Sequence, residues 1–393
     1  MILKIISSLK LTVWLLVSSL VLVFFGTLDQ VHFGIRATQI KYFESLIVLW
    51  QYPLQWPLGE SLHWIHFPMP GGYLIGPLLL INLIAAHITR FVFKWNRAGI
   101  FIIHLGLIFL LLGQLITQLL QEENYMWVKE GESANYLESH HYDELVIKDV
   151  THRKIEGVVS IPIDLIDKRP TSLQHPRLPF RVETKAFYPN AAIIQRSNLK
   201  EKSPQMIFNR GLGREKDYVV WDRPMTYIQD ERNVTTAIVE LVGSEGSLGI
   251  WLVSNVFDEQ FSPQYFSFEE REYEIALRIK RTYLPYKVEL IDFSHDRYMG
   301  TDIPKNFSSK VRIINRESTE DRQTLIYMNH PLRYKGRTFY QAAFDQQTEK
   351  SSMFQVVNNP GWLIPYISCG MIAIGLIYQF GYRFIRFSGN KNR

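Results

Sequence analysis

The sequence has 393 residues, of which 47% are hydrophobic and 21% charged, with a formal net charge of +5. Averages of this kind exclude gross disorder, collagen-like sequence and an all-membrane polytopic protein. A single cysteine, Cys369, excludes a disulfide framework, a Cys-based zinc site, a c-type cytochrome and a dithiol oxidoreductase.

The averages conceal a strong unevenness, because charge is absent from four stretches and crowded into the rest. Residues 1–28 make an N-terminal tail and a first span. Positions 11–28 (LTVWLLVSSLVLVFFGTL) carry no charge, and about 18 residues is near the lower end for a helical crossing. No A-x-A cleavage pattern follows, so the stretch reads as an uncleaved first helix rather than a signal peptide. Residues 29–72 contain Trp50, Trp56, Trp64 and a PGG run. They read as an extracytoplasmic interfacial loop whose tryptophans sit at headgroup level. Within residues 73–121, a second span is expected over 73–88 and a third over 98–120, joined by a short basic connection. Residues 361–393 hold a fourth span, over 362–382, and a basic tail. Buried core helices would show a polar face, and these four show almost none.

Basic residues set the orientation. Lys4 and Lys10 precede the first span. Arg90, Lys94 and Arg97 occupy the connection between the second and third. Arg383, Arg386, Lys391 and Arg393 follow the fourth. Four crossings put all three groups on one side, the cytoplasm. The chain is therefore expected to be an integral, multi-pass protein of a cytoplasmic or inner membrane, with both termini cytoplasmic. The basic excess then records topology, so the lipid bilayer is an expected partner and nucleic acid is not.

Residues 122–360 fall between the third and fourth spans. Short alternating runs such as TTAIVELV, YEIALRIKR, YKVELIDF and KVRIINRE recur there, punctuated by turn signals such as Tyr334-Lys335-Gly336. Period-two spacing predicts antiparallel, sandwich-like sheets and no long helix. The loop-like stretch RPTSLQHPRLP divides the segment. The fold class is thus membrane α + β: four transmembrane helices with a large extracytoplasmic antiparallel β-rich domain between helices three and four. No GxSxG, Walker loop or HExxH is present, and GLG at 211–213 does not continue as a dinucleotide fingerprint.

Histidine placement is the sharpest chemical feature. His87 lies three residues before Arg90, and His104 lies seven after Arg97, roughly 9–10 Å in from the cytoplasmic mouth by helical rise. An ionisable residue at such depth is costly, and a neutral imidazole is a standard axial ligand of haem iron. The bland alternative for His104 is an interhelical hydrogen bond. For His87 it is snorkelling or capping near the interface. Of the outer histidines, the adjacent pair His140-His141 would point to opposite faces of a strand and cannot easily chelate one ion.

Several blocks are similar to the ResB family of cytochrome c biogenesis proteins, in order and over nearly the whole length. In the membrane part these are FFGTLDQ, PMPGGYLIGPLLLINLIAAHITRF and AGIFIIHLGLIFLLLGQLIT. In the outer part they are YLPYKVELIDFSHDRYMGTDIPKNFSSKVRI and YMNHPLRYKGRTFYQAAFD, which contains His330. PGWLIPYISCGMIAIGLIYQF resembles the family's last helix. The resemblance implies an integral subunit that works with a ResC-type partner. Together they would carry haem b across the membrane and present it for thioether attachment to the CxxCH of apocytochrome c. The tryptophan-rich haem-handling loop belongs to that partner, so this chain is at most a non-catalytic or haem-binding subunit of a holocytochrome c synthase complex. No residue is assigned a catalytic role. His104 best matches the membrane histidine that shares haem ligation with one from the partner, and His87 is a secondary match. Arg90, Lys94 and Arg97 would face the propionates, and His330 is an outer-face position. The paired cysteines of some relatives are absent, which argues against a thiol-reducing role.

Two other classes remain. A membrane-anchored scaffold would recruit or stabilise assembly partners through its β domain without touching haem. A transporter of another solute would show more charged or broken-helix features than Pro77 and Pro365 supply.

Overall fold

Four helices in the computed structural model are long and apolar enough to cross a membrane. They are α1 (Leu9–Thr38), α2 (Gly72–Arg90), α3 (Ala98–Leu120) and α4 (Ile364–Lys391). The structure describes residues 2–54, 56–90, 94–152, 155–167, 171–199, 205–226, 232–260, 263–300, 304–315, 317–345 and 347–391. The chain divides into two units, one holding these helices and the other holding the strands between α3 and α4.

In the helical unit, α1 runs on past Leu28. It breaks at Gly34, whose φ of 78° and ψ of 169° suit a residue without a Cβ. The chain folds back there, and Lys41 Nζ and Tyr42 Oη both donate to Asp29 Oδ2 at 2.7 Å. Asp29 is only 1% exposed, so its charge is held where burial without partners would be prohibitive. The residues read as an interfacial loop form a two-stranded hairpin, β1 (Ile47–Gln51) with β2 (His66–Pro70). Its alternation buries Val48 and Trp50 against Leu15 and Leu22 and exposes Ile47 and Leu49. Trp50 packs among Phe25, Phe67 and Trp56 with ring centres 4.8–6.1 Å apart, so it is a core residue, whereas Trp64 is exposed.

The helices associate in two pairs. α2 is tied to α1 by Asn82, which is 1% exposed. Its amide donates to the Ile6 and Ser8 carbonyls and accepts from Thr12 Oγ1 at 2.6 Å. α3 packs on α4 along three glycines seven residues apart, Gly99, Gly106 and Gly113. A Cβ on Gly99 would lie 2.6 Å from the Gly375 carbonyl, one on Gly106 2.8 Å from Ile372, and one on Gly113 2.6 Å from Ile364. Without a hydrophobic driving force between helices in lipid, such backbone proximity is what gains dispersion and weak C–H···O contacts. Polar clamps close both ends. Tyr378 Oη donates to the Trp95 carbonyl at 3.0 Å, and Asn359 Nδ2 donates to Thr117 Oγ1 and Gln121 Oε1, both at 3.2 Å.

The strand unit opens with β3 (Glu122–Lys129), β4 (Ser133–His152) and β5 (Ile155–Pro162). Next come β6 (Thr171–Gln174), β7 (Arg181–Tyr188), β8 (Ala191–Gln195) and β9 (Tyr218–Asp222). β10 (Thr236–Gly243), β11 (Gly246–Ser254), β12 (Gln264–Phe268) and the 27-residue β13 (Arg271–Arg297) follow. β14 (Pro304–Asn315), β15 (Glu320–Tyr327), β16 (Leu332–Tyr334), β17 (Arg337–Phe344) and β18 (Ser351–Asn358) complete it. All the pairings between these strands for which a register is resolved are antiparallel.

Two strands organise this unit. β4 and β13 pair along most of their length, with the register breaking between Tyr283 and Val288, where Pro285 has no N–H to offer the ladder. Before the break, β12, β13, β4 and β5 face the four-stranded sheet β11-β10-β7-β6 across a shared core that includes Ile147, Ile275, Val239 and Val253. This half is the expected sandwich. After the break, the order β15-β14-β13-β4-β3-β18-β17-β16 rolls round a second core that includes Leu137, Val288, Val311 and Phe339. An antiparallel bridge between Tyr327 and His330 links β15 to the turn before β16.

Between the two cores, Glu144 and Arg278 sit directly opposite on β4 and β13, each with a side chain 4% exposed, and pair at 3.0 Å. Ser160 Oγ donates to the second carboxylate oxygen. Removing one member of a buried pair strands the other charge, at a cost of about 3–5 kcal/mol, whereas replacing both by apolar groups costs little. In denaturant unfolding of the detergent-solubilised chain, Glu144→Ala is expected to lose that stability, and Glu144→Leu with Arg278→Met to regain most of it. Equal stability of Glu144→Ala and the native chain would refute the buried pairing.

The glycine seam yields a second expectation. Gly106→Val should destabilise the α3–α4 pair by about 1–3 kcal/mol through overpacking. Gly76→Ala on α2, where an added Cβ meets nothing within 4 Å, should be tolerated. Thermal aggregation in detergent reads both, and equal tolerance would contradict the close approach.

Candidate functional site

Helix geometry decides where the two membrane histidines face. Residues two apart on an α-helix are rotated by about 200°, so His104 lies opposite Gly106 and away from α4. Five residues give about 140°, so His87 turns away from Asn82 and the α1 contact. Each helix is thus fixed on one side by its own partner and presents its histidine on the other. The two rings meet in the seam between α2 and α3, with centres 6.0 Å apart and planes at 71°. Phe101, one turn before His104, lies with its ring 4.7 Å from that of His87.

The surroundings of this seam are apolar, since α2 and α3 carry almost nothing else that can ionise. Among the described residues the neighbour of the His104 ring across the seam is the ring of His87. No group of three or more His, Cys, Asp or Glu side chains suited to a metal occurs among the described residues. Two imidazoles alone do not meet the four-ligand demand of a bare structural zinc ion. As neutral imidazoles they would be ligands for a metal that brings the rest of its coordination with it.

Other residues singled out from the sequence fall elsewhere. Arg90 ends α2, and its side chain lies outside the described residues. Lys94 and Arg97 are exposed just before α3. Arg97 precedes His104 by seven residues, about 10 Å of helical rise. His330 belongs to the strand unit, at the tight turn between β15 and β16, exposed and stacked on Tyr327 at 4.6 Å. The side chains of His140 and His141 lie outside the described residues. His63 is engaged locally, its Nδ1 2.8 Å from the Tyr52 carbonyl.

Sequence reasoning passed over Asn82 and Asp29. A lone asparagine in an apolar span is a signal for interhelical hydrogen bonding, and an aspartate just past an apolar run signals a buried pairing if basic residues return to it. The heptad of glycines on α3 was also readable as a close helix contact.

Residues 241–361 match the model of the ResB-like family, a stretch that begins at the end of β10 and runs through β18 to the approach of α4. Protein NrfI of Wolinella succinogenes is 23% identical over 308 residues, an alignment covering 78% of this chain and 29% of that protein. The chain thus spans under a third of that relative's length. Over residues 241–361 the chain is thus similar to the ResB-like family, with four long apolar helices before and after the antiparallel region in sequence, and it shows distant homology to NrfI.

Proposed function

We propose that this chain is the membrane subunit of a cytochrome c maturation system. It carries haem b from the cytoplasmic to the outer face with a ResC-type partner and presents it for attachment to the CxxCH of apocytochrome c. The observation that supports this most is the pair of histidine rings facing each other in an apolar seam of a ResB-like protein.

His104 would supply an imidazole ligand to the haem iron, as neutral imidazole does in many haem proteins. Arg90, Lys94 and Arg97 lie at the end of the α2–α3 connection and offer cationic groups to the two propionates. Thioether formation adds each cysteine thiol across a haem vinyl group, so the S–H proton ends on carbon and no redox partner is consumed. That step needs chiefly alignment and reduced thiols. The strand unit, with two cores of its own, docks the apocytochrome or braces the partner's outer site.

The test is haem content and visible spectrum of the chain purified with its ResC-type partner. His104→Gly is expected to retain at least about tenfold less haem, since even changes to groups that merely support a metal ligand cost 10–100-fold in affinity. Added imidazole should restore the spectrum. Unchanged haem and normal cytochrome maturation in that variant would instead support a membrane-anchored scaffold whose strand unit recruits partners.

A further inference from the structure

One end of the sandwich half holds a cavity of about 350 Å³, lined by β4, β5, the start of β13 and the turn between β6 and β7. Strand pairing explains why it forms. Ile275, Ile147 and Val159 stand side by side on β13, β4 and β5 and belong to the core. Two residues further along each strand, on the same face, the row is Tyr273, Asp149 and Gly157. An apolar layer thus gives way to a phenol, a carboxylate and a position with no side chain. A Cβ on Gly157 would meet only Asp149, at 3.5 Å. The turn that completes the lining is fixed by His175, whose carbonyl accepts from Leu178 N–H at 2.9 Å and whose Nδ1 accepts from Arg177 N–H at 3.2 Å. It brings Arg177 to the cavity.

We infer that this cavity binds the α-carboxylate of a peptide end or amino-acid derivative, together with the amide N–H beside that carboxylate. The site lies wholly within the strand unit and does not depend on the haem-carrying role proposed above.

Charge is the first support. Arg177 and Arg271 face one carboxylate, Asp149, which leaves a single positive charge for a ligand to meet. Among the described residues Arg177 forms no ion pair, and Arg271 reaches Asp149 Oδ2 through one contact of 3.4 Å. Both guanidinium forks therefore keep donors for a carboxylate. The second support is Tyr273, only 1% exposed, whose hydroxyl has no hydrogen-bond partner among the described residues. Burial pushes its pKa above the usual phenol value, so it keeps an O–H to donate, and the Arg271 guanidinium acts on it from nearby. A buried hydroxyl without a partner is rare, and a ligand oxygen would satisfy it.

Asp149 selects among anions. Its Oδ1 accepts from the Thr151 hydroxyl at 2.6 Å and the Thr151 N–H at 3.1 Å. The Thr151 hydroxyl bond is the main reason that its carboxyl titrates below the usual range, so it stays charged. Oδ2 has acceptor capacity left beside the long Arg271 contact. A dianion such as phosphate would meet this charge and be repelled. A monoanion with an N–H next to it satisfies the arginines, the phenol and Asp149 together. Val159 and Leu178 offer an apolar wall to a short side chain, and the volume is that of a small-ligand site.

The experiment titrates the full-length chain in detergent with N-acetyl-alanine and follows binding by calorimetry. Saturation at millimolar ligand is expected, with none for N-acetyl-alaninamide, which lacks the carboxylate, and none for inorganic phosphate. Arg177→Gln and Tyr273→Phe should each weaken binding at least about tenfold, as loss of a hydrogen bond to a charged group does. Gly157→Val should abolish it by filling the cavity. Because the Tyr273 hydroxyl has no partner within the described chain, Tyr273→Phe should leave the thermal midpoint unchanged or raised, which separates lost binding from lost folding. A short alanine-ended peptide that binds as well as N-acetyl-alanine supports the site and identifies a chain terminus as its source of carboxylate. Binding of N-acetyl-alanine with exclusion of the peptide supports it with a free amino-acid derivative as the source. Equal binding of the amide or of phosphate, binding untouched by the three variants, or no saturation overturns it.

Discussion

Everything in the helical unit depends on one constraint: in an apolar surrounding, polar atoms and backbone must find partners on a neighbouring helix. Asn82 meets it by bonding three groups of the α1 region. The α3–α4 pair meets it by glycines that bring backbones together and by clamps at both ends, Tyr378 to Trp95 and Asn359 to Thr117 and Gln121. These contacts consume one face of each helix. What is left between the pairs is a seam with two imidazoles in it, and the proposed haem site lies where the structural contacts are not.

A related constraint shapes the strand unit. β4 and β13 are long enough to serve two cores, one a sandwich and one a rolled sheet. The junction between the cores is where their pairing must bend, and Pro285 lies in the break. The buried Glu144–Arg278 pair sits directly opposite across the two strands at the sandwich side of this junction. A charged pair there is costly to form and costly to break, so it specifies which residues of two long, similar strands lie opposite each other.

Much of this was legible in the sequence because it rests on local composition. Absence of charge marked the four spans, and period-two alternation marked the strands. The ordered blocks from FFGTLDQ to PGWLIPYISCG pointed to the family. What was not legible depends on which faces meet. The break at Gly34 and the return of Lys41 and Tyr42 to Asp29 need a φ that composition does not reveal. Trp50 read as an interfacial anchor because tryptophan is common there, yet the hairpin's alternation turns it inward. His87 read as a residue near a helix end and a secondary candidate, and that its ring meets the ring of His104 depends on which faces of α2 and α3 their other partners take. His330, prominent in the most recognisable outer block, sits exposed on a turn in the other unit.

The central claim is that His87 and His104 face each other in the membrane-spanning part of a single chain. Cys369 is the only native thiol, so Cys369→Ser gives a clean background for cross-linking in intact membranes. In that background a short bismaleimide should join His87→Cys to His104→Cys within one chain. It should do so much less well for His87→Cys with Ile103→Cys, because Ile103 packs on Gly375 of α4. Preferential cross-linking at position 103, or none at 104 in labelled membranes, would contradict the account.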